Sequence, residues 1–207
     1  MKEIGVGICG LGTVGCGVLD LFIKNRDRIN EQVGVPVRIT RVGSRTRKTN
    51  SNHSKIPFSE DVLLLADDPN IDIILELIGG TSVALPLVRK ALINGKHVVT
   101  ANKALIATHG NELFSLARKH SVSLRYEASV GGGIPIIKVL RESLAGNQIY
   151  CVAGIINGTT NYILSEIETS GRDFEGVLAE AQDLGFAEAD PTFDIEGTDA
   201  GHKLVIL

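Results

Sequence analysis

The feature that most constrains this chain is a cluster of glycines between an apolar run and a helical period. Ile4-Gly-Val-Gly-Ile-Cys9 reads as a buried strand, and Gly10-Leu11-Gly12-Thr13-Val14-Gly15 follows it directly. Residues 13–30 then read as a helix with Val14, Val18, Leu21 and Phe22 on one face. A strand that turns into a helix through G-x-G-x-x-G gives its three glycines separate tasks. Gly10 permits the tight turn, Gly12 lets the backbone approach a pyrophosphate that a Cβ would block, and Gly15 lets helix and strand pack closely. The helix N-terminus adds N–H groups and the positive end of a dipole. A dinucleotide is the expected ligand.

The following segments keep the same rhythm. Strands are expected at 37–43, 71–78, 96–100 and 122–127, and helices at 60–66, 83–94 and 109–120. Residues 46–55 are basic and polar and read as a surface loop. Alternation with short connections predicts a parallel sheet covered on both faces. The fold class is therefore α/β, with a Rossmann-type NAD(P)-binding domain first. From Gly131-Gly132-Gly133 the pattern changes. Pro135 suits the first turn of a helix running to about Leu144. An apolar strand is expected at 148–156 and helices at 161–169, at 174–184 and from Thr198. The domain change is placed near Ala145 to Asn147, giving domains 1–146 and 147–207. The sequence ends in an apolar helical pattern without a C-cap, so the second domain is expected to be truncated and the chain a fragment.

Composition excludes several functions. Of 207 residues, 21 are Lys or Arg and 24 Asp or Glu, a net charge of −3. No basic stripe with interleaved aromatics appears, so nucleic acid is not an expected partner. No apolar stretch is long enough for a membrane span. The three cysteines have no metal-type spacing and no signal peptide precedes them, which suits reduced thiols in a cytoplasm.

The end of the second strand bears on the choice of cofactor. An NAD site usually carries Asp or Glu there to hold the ribose hydroxyls. Arg41-Val42-Gly43-Ser44-Arg45-Thr46-Arg47-Lys48 offers cations instead. Arg45 is placed to stack on adenine or to pair with a 2′-phosphate; a solvated basic loop is the other reading. NADP is favoured over NAD, with dual use left open.

Other strand ends carry polar groups on the side where such sheets bind ligands: Gly79-Gly80-Thr81-Ser82, Thr100-Ala101-Asn102-Lys103 and Glu127. Thr81 joins the candidate cofactor set. Lys103 either donates to a substrate oxygen or the nicotinamide, or is a surface lysine in a turn. A denser group follows: Gly185-Phe186-Ala187-Glu188-Ala189-Asp190-Pro191, then Asp194, Asp199 and Lys203. Asp199 and Lys203 share a helix face. They form either an exposed ion pair worth a few tenths of a kcal/mol, or a site in which carboxylates hold an ammonium group while lysine moves a proton. Spacing alone leaves both open.

At these residues the chain resembles homoserine dehydrogenase. The resemblance runs through all 207 residues: Gly-Leu-Gly-Thr-Val-Gly at 10–15, Thr-Ala-Asn-Lys at 100–103, Glu-Ala-Ser-Val-Gly-Gly-Gly-Ile-Pro-Ile at 127–136, Asn-Gly-Thr-Thr-Asn-Tyr-Ile-Leu at 157–164, Gly-Phe-Ala-Glu-Ala-Asp-Pro at 185–191, and Asp199-Ala-Gly-His-Lys203-Leu. It implies interconversion of L-homoserine and L-aspartate 4-semialdehyde with NAD(P), on the route to threonine, isoleucine and methionine. It implies that the second domain is an α+β substrate and dimerisation domain, and that the full-length form is a homodimer. Leu11, Thr13, Val14, Arg45 and Lys103 would contact the cofactor, with Gly185 near it. Glu188 and Asp199 would bind the substrate, with Asp194 in support, and Lys203 would move the proton at the substrate oxygen. Lys103 would assist there. A monovalent cation, sodium, would sit by Glu127 with carbonyls of Val130, Gly132 and Ile134, a hard-oxygen set.

Two other readings stand beside this one. The chain is a non-catalytic NADP-binding module or a truncated, inactive fragment; or it is an aldehyde-oxidising enzyme working through a thiohemiacetal. The last needs an activated cysteine, and none of Cys9, Cys16 and Cys151 is well placed for that role.

Overall fold

In a computed structural model of the chain, residues 3–47 and 55–207 are described. They divide into two compact units, one ending at Gly133 and the other Ile134–Leu207. The division falls at the glycine link rather than at Ala145–Asn147, because the helical turns that follow Pro135 group with the second unit.

The first unit is a six-stranded sheet: β1 (Ile4–Cys9), β2 (Val37–Gly43), β3 (Phe58–Ser59), β4 (Ile73–Glu76), β5 (His97–Thr100) and β6 (Leu124–Arg125). The strands pair in parallel in the order β3-β2-β1-β4-β5-β6. That order reverses between β1 and β4, and the crevice at the carboxyl ends there is where such sheets take ligands. From Gly5 to Cys9, β1 is buried at every position, as a central strand covered on both faces must be. Val6, Ile8, Leu19, Val37 and Val42 form the core under helices α1 (Thr13–Lys24) and α2 (Arg26–Val33). Each such buried aliphatic side chain contributes roughly 1.5–3 kcal/mol.

The expected single helix over 13–30 is broken at Asn25. The Asn25 side-chain amide donates to the Leu21 carbonyl at 2.9 Å, a local bond that bends the ladder. Helices α3 (Leu63–Asp67), α4 (Ala84–Ile93) and α5 (Lys103–Lys119) complete the layers. Helix α5 begins at Lys103, ahead of the expected start at 109, because Asn102 caps it: its side-chain oxygen accepts from the Leu105 N–H at 3.1 Å. Strand β4 stops at Glu76 instead of 78, since the Glu76 carboxylate captures the next backbone N–H groups (below). Strand β3 was not expected; two residues on a sheet edge leave no period to read. The basic loop at 46–55 lies largely outside the described residues.

The second unit is helical. A short helix α6 (Ile136–Lys138) runs into a π-helical turn, Val139–Ser143. Helices α7 (Gly158–Ser170) and α8 (Phe174–Asp183) form a hairpin around Ile163, Val177 and Ala181, with the Tyr162 and Phe186 rings 5.0 Å apart. Helices α9 (Thr192–Ile195) and α10 (Thr198–Ile206) follow. The strand expected at 148–156 does not form. Tyr150 is 86% and Ile155 77% exposed there. A strand needs a neighbour to take its backbone bonds, and among the described residues of 134–207 no second strand is present. Among the described residues, no helix is long and apolar enough to cross a membrane.

Candidate functional site

Four strand ends and the loops after them enclose an open cleft of about 660 Å³ beside the sheet reversal. Gly10 to Gly12 form its floor, Ser44 to Thr46 one wall, and Leu77 to Gly79 the other. The three motif glycines have different reasons to be there. Gly10 has φ +102°, and a Cβ on it would sit 2.4 Å from the Leu77 carbonyl oxygen. A Cβ on Gly15 would sit 1.9 Å from the Gly10 carbonyl oxygen, so helix and turn touch at that point. A Cβ on Gly12 would meet no protein atom within 4 Å, and its φ of −74° is ordinary. The protein's own packing does not demand glycine at position 12, and the bare backbone there is open to a group approaching from the cleft. Helix α1 starts there without a side-chain cap and without an acidic residue in its first turn, leaving its first N–H groups and its positive end for an anion. The cradle fits a pyrophosphate.

The cations after β2 separate by partner. Arg41 pairs with Asp68 at 3.2 Å, and Arg47 lies 5.4 Å over the Phe58 ring. Arg45 is exposed and lines the cleft. Lys48 lies outside the described residues. The β2 end brings no carboxylate, but Glu60 and Asp61 reach the same cleft, because the register Gly43↔Ser59 sets the end of β3 alongside. Asp61 is engaged in accepting the Leu63 N–H at 2.9 Å.

Beneath the other wall lies a buried carboxylate. Glu76 is fully buried, and every partner it has is a donor. The Ile78 N–H reaches Oε1 at 2.9 Å and the Gly79 N–H at 3.3 Å; the Thr100 hydroxyl donates to Oε2 at 2.5 Å. The Asn102 amide lies 3.5 Å from Oε1 and donates to the Gly80 carbonyl at 2.6 Å. One side chain thus ties the ends of β4 and β5 and the loop between cleft and sheet. Thr81 follows that loop, and Lys103, half-buried, is the first residue of α5.

In the second unit, α10 turns Asp199 and Lys203 toward Asn157, the N-cap of α7. Lys203 Nζ lies 2.6 Å from Asp199 Oδ2 and also donates to the Ile156 carbonyl. The Asn157 amide nitrogen donates to Asp194 at 2.7 Å and to Asp199 at 2.9 Å. Its oxygen accepts the Thr160 N–H at 2.8 Å, capping the helix. The Thr159 hydroxyl lies 2.7 Å from the Phe186 carbonyl and 3.0 Å from Asp194. Asp199 is 5% exposed, so an exposed ion pair does not describe it. The arrangement can hold an ammonium group against carboxylates and place a proton on a lysine.

Known proteins share both halves. Residues 10–127 match the family model for the homoserine dehydrogenase NAD binding domain, and residues 135–207 match that for homoserine dehydrogenase. The chain belongs to the homoserine dehydrogenase family. It is 53% identical to a homoserine dehydrogenase of Pseudomonas aeruginosa over all of this chain and 48% of that protein. It superposes on the crystal structure of a homoserine dehydrogenase from Thiobacillus denitrificans with a TM-score of 0.89 and 51% identity, over 98% of this chain and 47% of that one. A hyperthermophilic archaeal homoserine dehydrogenase in complex with NADPH matches with a TM-score of 0.85 and 28% identity, over 99% of this chain and 68% of that one. The chain thus spans about half the length of the bacterial relatives.

Within this family's frame, the structure gathers Asp194, Asp199 and Lys203 into one cluster and leaves Glu188 outside it, on the exposed loop after α8. Gly185 ends α8 in the left-handed conformation, φ +78°. Thr13 and Val14 lie exposed in the first turn of α1, while Leu11 is buried at the cleft floor. Glu127, Val130 and Gly132 lie in the 3₁₀ turn and glycine link that end the first unit, and Ile134 opens the second. Cys9 is buried, and desolvation first and the Glu76 charge second push its thiol far up, which opposes a nucleophilic role. Sequence reasoning missed Glu76, Asn157 and Thr159 as organisers. An N-cap asparagine before α7 was the one local signal that could have drawn attention to Asn157.

Proposed function

We propose that this chain carries the nucleotide-holding and substrate-holding parts of a homoserine dehydrogenase that interconverts L-homoserine and L-aspartate 4-semialdehyde. The observation that carries the reading is the Asp194–Asn157–Asp199–Lys203 cluster, built in a chain that also has the glycine cradle.

Gly12 and the first turn of α1 receive the pyrophosphate, with Thr13 and Val14 beside it. Arg45 favours NADP by pairing with its 2′-phosphate, while Glu60, on the same cleft, keeps NAD acceptable through its ribose hydroxyls. The nicotinamide, when bound, takes up or gives the hydride. Glu188 and Asp199 bind the substrate's amino group, and Asp194 supports Asp199 through Asn157. Lys203 has three N–H donors; two go to Asp199 and Ile156, leaving the third for the substrate oxygen. In reduction Lys203 gives its proton to the forming alkoxide, and in oxidation it takes the proton back. Lys103 stabilises that oxygen.

A sodium ion on Glu127 and the carbonyls of Val130, Gly132 and Ile134, a homodimeric full-length form, a place in threonine, methionine and isoleucine synthesis and a cytoplasmic location belong to the same reading. The test mixes the protein with L-homoserine and NADP, then NAD, and follows absorbance of the reduced nicotinamide. Homoserine-dependent reduction supports the enzyme. NADP binding without such reduction would instead make the chain a nucleotide-binding module.

A further inference from the structure

Glu76 is a buried carboxyl group whose placement the fold alone does not explain. It is fully buried at the end of β4, and among the described residues it makes no ion pair with a lysine or arginine. Its neighbours Ile78 N–H, Gly79 N–H and the Thr100 hydroxyl all donate to it, the pattern that suits an acceptor-only carboxylate anion. Thr100 Oγ1 in turn accepts the Asn102 N–H at 2.9 Å, so its own proton is available to Glu76. Burying a carboxylate with hydrogen bonds but no counter-cation is costly, and a glutamine would satisfy part of the same set without the charge.

The place of the charge gives it a use. The cleft runs from Ser44–Thr46, across Gly10–Gly12, to Leu77–Gly79. With the pyrophosphate on the glycines and the adenosine half toward Arg45, the far half over β4 receives the nicotinamide. The Gly79 backbone that lines this half donates its N–H to Glu76 Oε1 at 3.3 Å. A nicotinamide ring is a cation when oxidised and neutral when reduced. A buried anion beneath it acts on one form and not on the other, with little screening by water.

We propose that Glu76 is a positioning residue for the nicotinamide, whose carboxylate fixes the Ile78–Gly80 loop and whose buried charge selectively strengthens binding of the oxidised nucleotide. The proposal rests on the nucleotide reading given above. It differs from a purely structural role in its sign: a scaffold would serve both redox forms alike.

The experiment measures Kd for NADP+, NADPH and 2′,5′-ADP by titration on the unsubstituted protein and on Glu76→Gln. The expected result is a rise on the order of tenfold in the Kd of NADP+ relative to that of NADPH, with 2′,5′-ADP binding unchanged as evidence of an intact fold. An equal change for both redox forms, or none, with 2′,5′-ADP still bound, would overturn the electrostatic role. Failure of 2′,5′-ADP to bind the unsubstituted protein would overturn the nucleotide reading and this proposal with it. Glu76→Asp keeps the charge but withdraws it by one methylene. It is expected to weaken NADPH through the loosened loop and NADP+ at least as much, and unchanged affinity for NADPH would overturn the positioning role, whether or not Glu76→Gln folds.

Discussion

Lys203 and Asp199 stand one turn apart on α10 with Nζ and Oδ2 at 2.6 Å, and both are largely withdrawn from water, their side chains 20% and 7% exposed. An exposed pair at this spacing is worth little. A desolvated pair behaves differently: removal of one member leaves the other charge stranded, and the Ile156 carbonyl and Asn157 amide are what make the burial tolerable.

Lys203→Ala is expected to lower turnover of L-homoserine by roughly 10²–10⁴-fold, the range for loss of a general acid–base group. NADP affinity, measured by titration, should stay within about twofold on the same basis. A parallel loss of both would mean that Lys203 supports the fold rather than the proton transfer.

Asn157 has two duties that substitutions can separate. Asn157→Ala removes the cap and both carboxylate contacts, so stability should fall by about 1 kcal/mol and activity should fall with it. Asn157→Ser keeps a cap acceptor for Thr160 but loses the amide donors to Asp194 and Asp199. Thermal melting should place this variant between the parent and Asn157→Ala, because the cap is kept while the carboxylates lose donors, and kcat should drop. Unimpaired kcat would argue against Asn157 as the organiser of the cluster.

Gly12→Ala and Gly15→Ala should fail in opposite ways. The first adds a methyl where no protein atom lies within 4 Å. It should fold normally and bind NADP at least about tenfold more weakly, ~1.4 kcal/mol. The second drives a methyl to 1.9 Å from the Gly10 carbonyl oxygen and should cost stability on the order of 1–3 kcal/mol or more. Denaturant melts and nucleotide titrations on the two variants tell them apart.

Cys9 should resist alkylation in the folded protein while exposed Cys151 reacts. The same burial makes stability pH-dependent. Below the unfolded thiol's value of about 8.5 both states keep the proton and Cys9 contributes no slope. Above it the unfolded state releases the proton and the folded state retains it, so the folded state loses stability as pH rises. Denaturant melts from about pH 8 to about pH 10 should therefore show the parent falling relative to Cys9→Ala; parallel curves would contradict the raised thiol.

Legibility followed the range of the interactions. The glycine cradle and the parallel order were readable because β1, its turn and α1 are contiguous and the periods are local. Residues 148–156 looked like a strand because their apolar composition is local too, but pairing is not, and the described second unit offers no partner strand. Of the two charged residues on one wall of the cleft, Arg45 follows β2 in sequence and was legible, whereas Glu60 arrives from β3 through register. The Asn157 cluster joins residues 37 and 42 positions apart, a relation no window of sequence contains. Glu76 hid in an apolar run, where a single carboxylate has no pattern to mark it.

Gly79 and Gly80, the loop that Glu76 holds, have φ of +83° and +64°, and a Cβ on either would meet nothing within 4 Å. They are glycines for handedness, not for room. The positive φ at both positions strains an L side chain whatever the space around it. D-alanine, introduced by semisynthesis at Gly79 or Gly80, favours the positive φ that L-alanine resists, and by narrowing the choices of the unfolded chain it should stiffen this wall of the cleft.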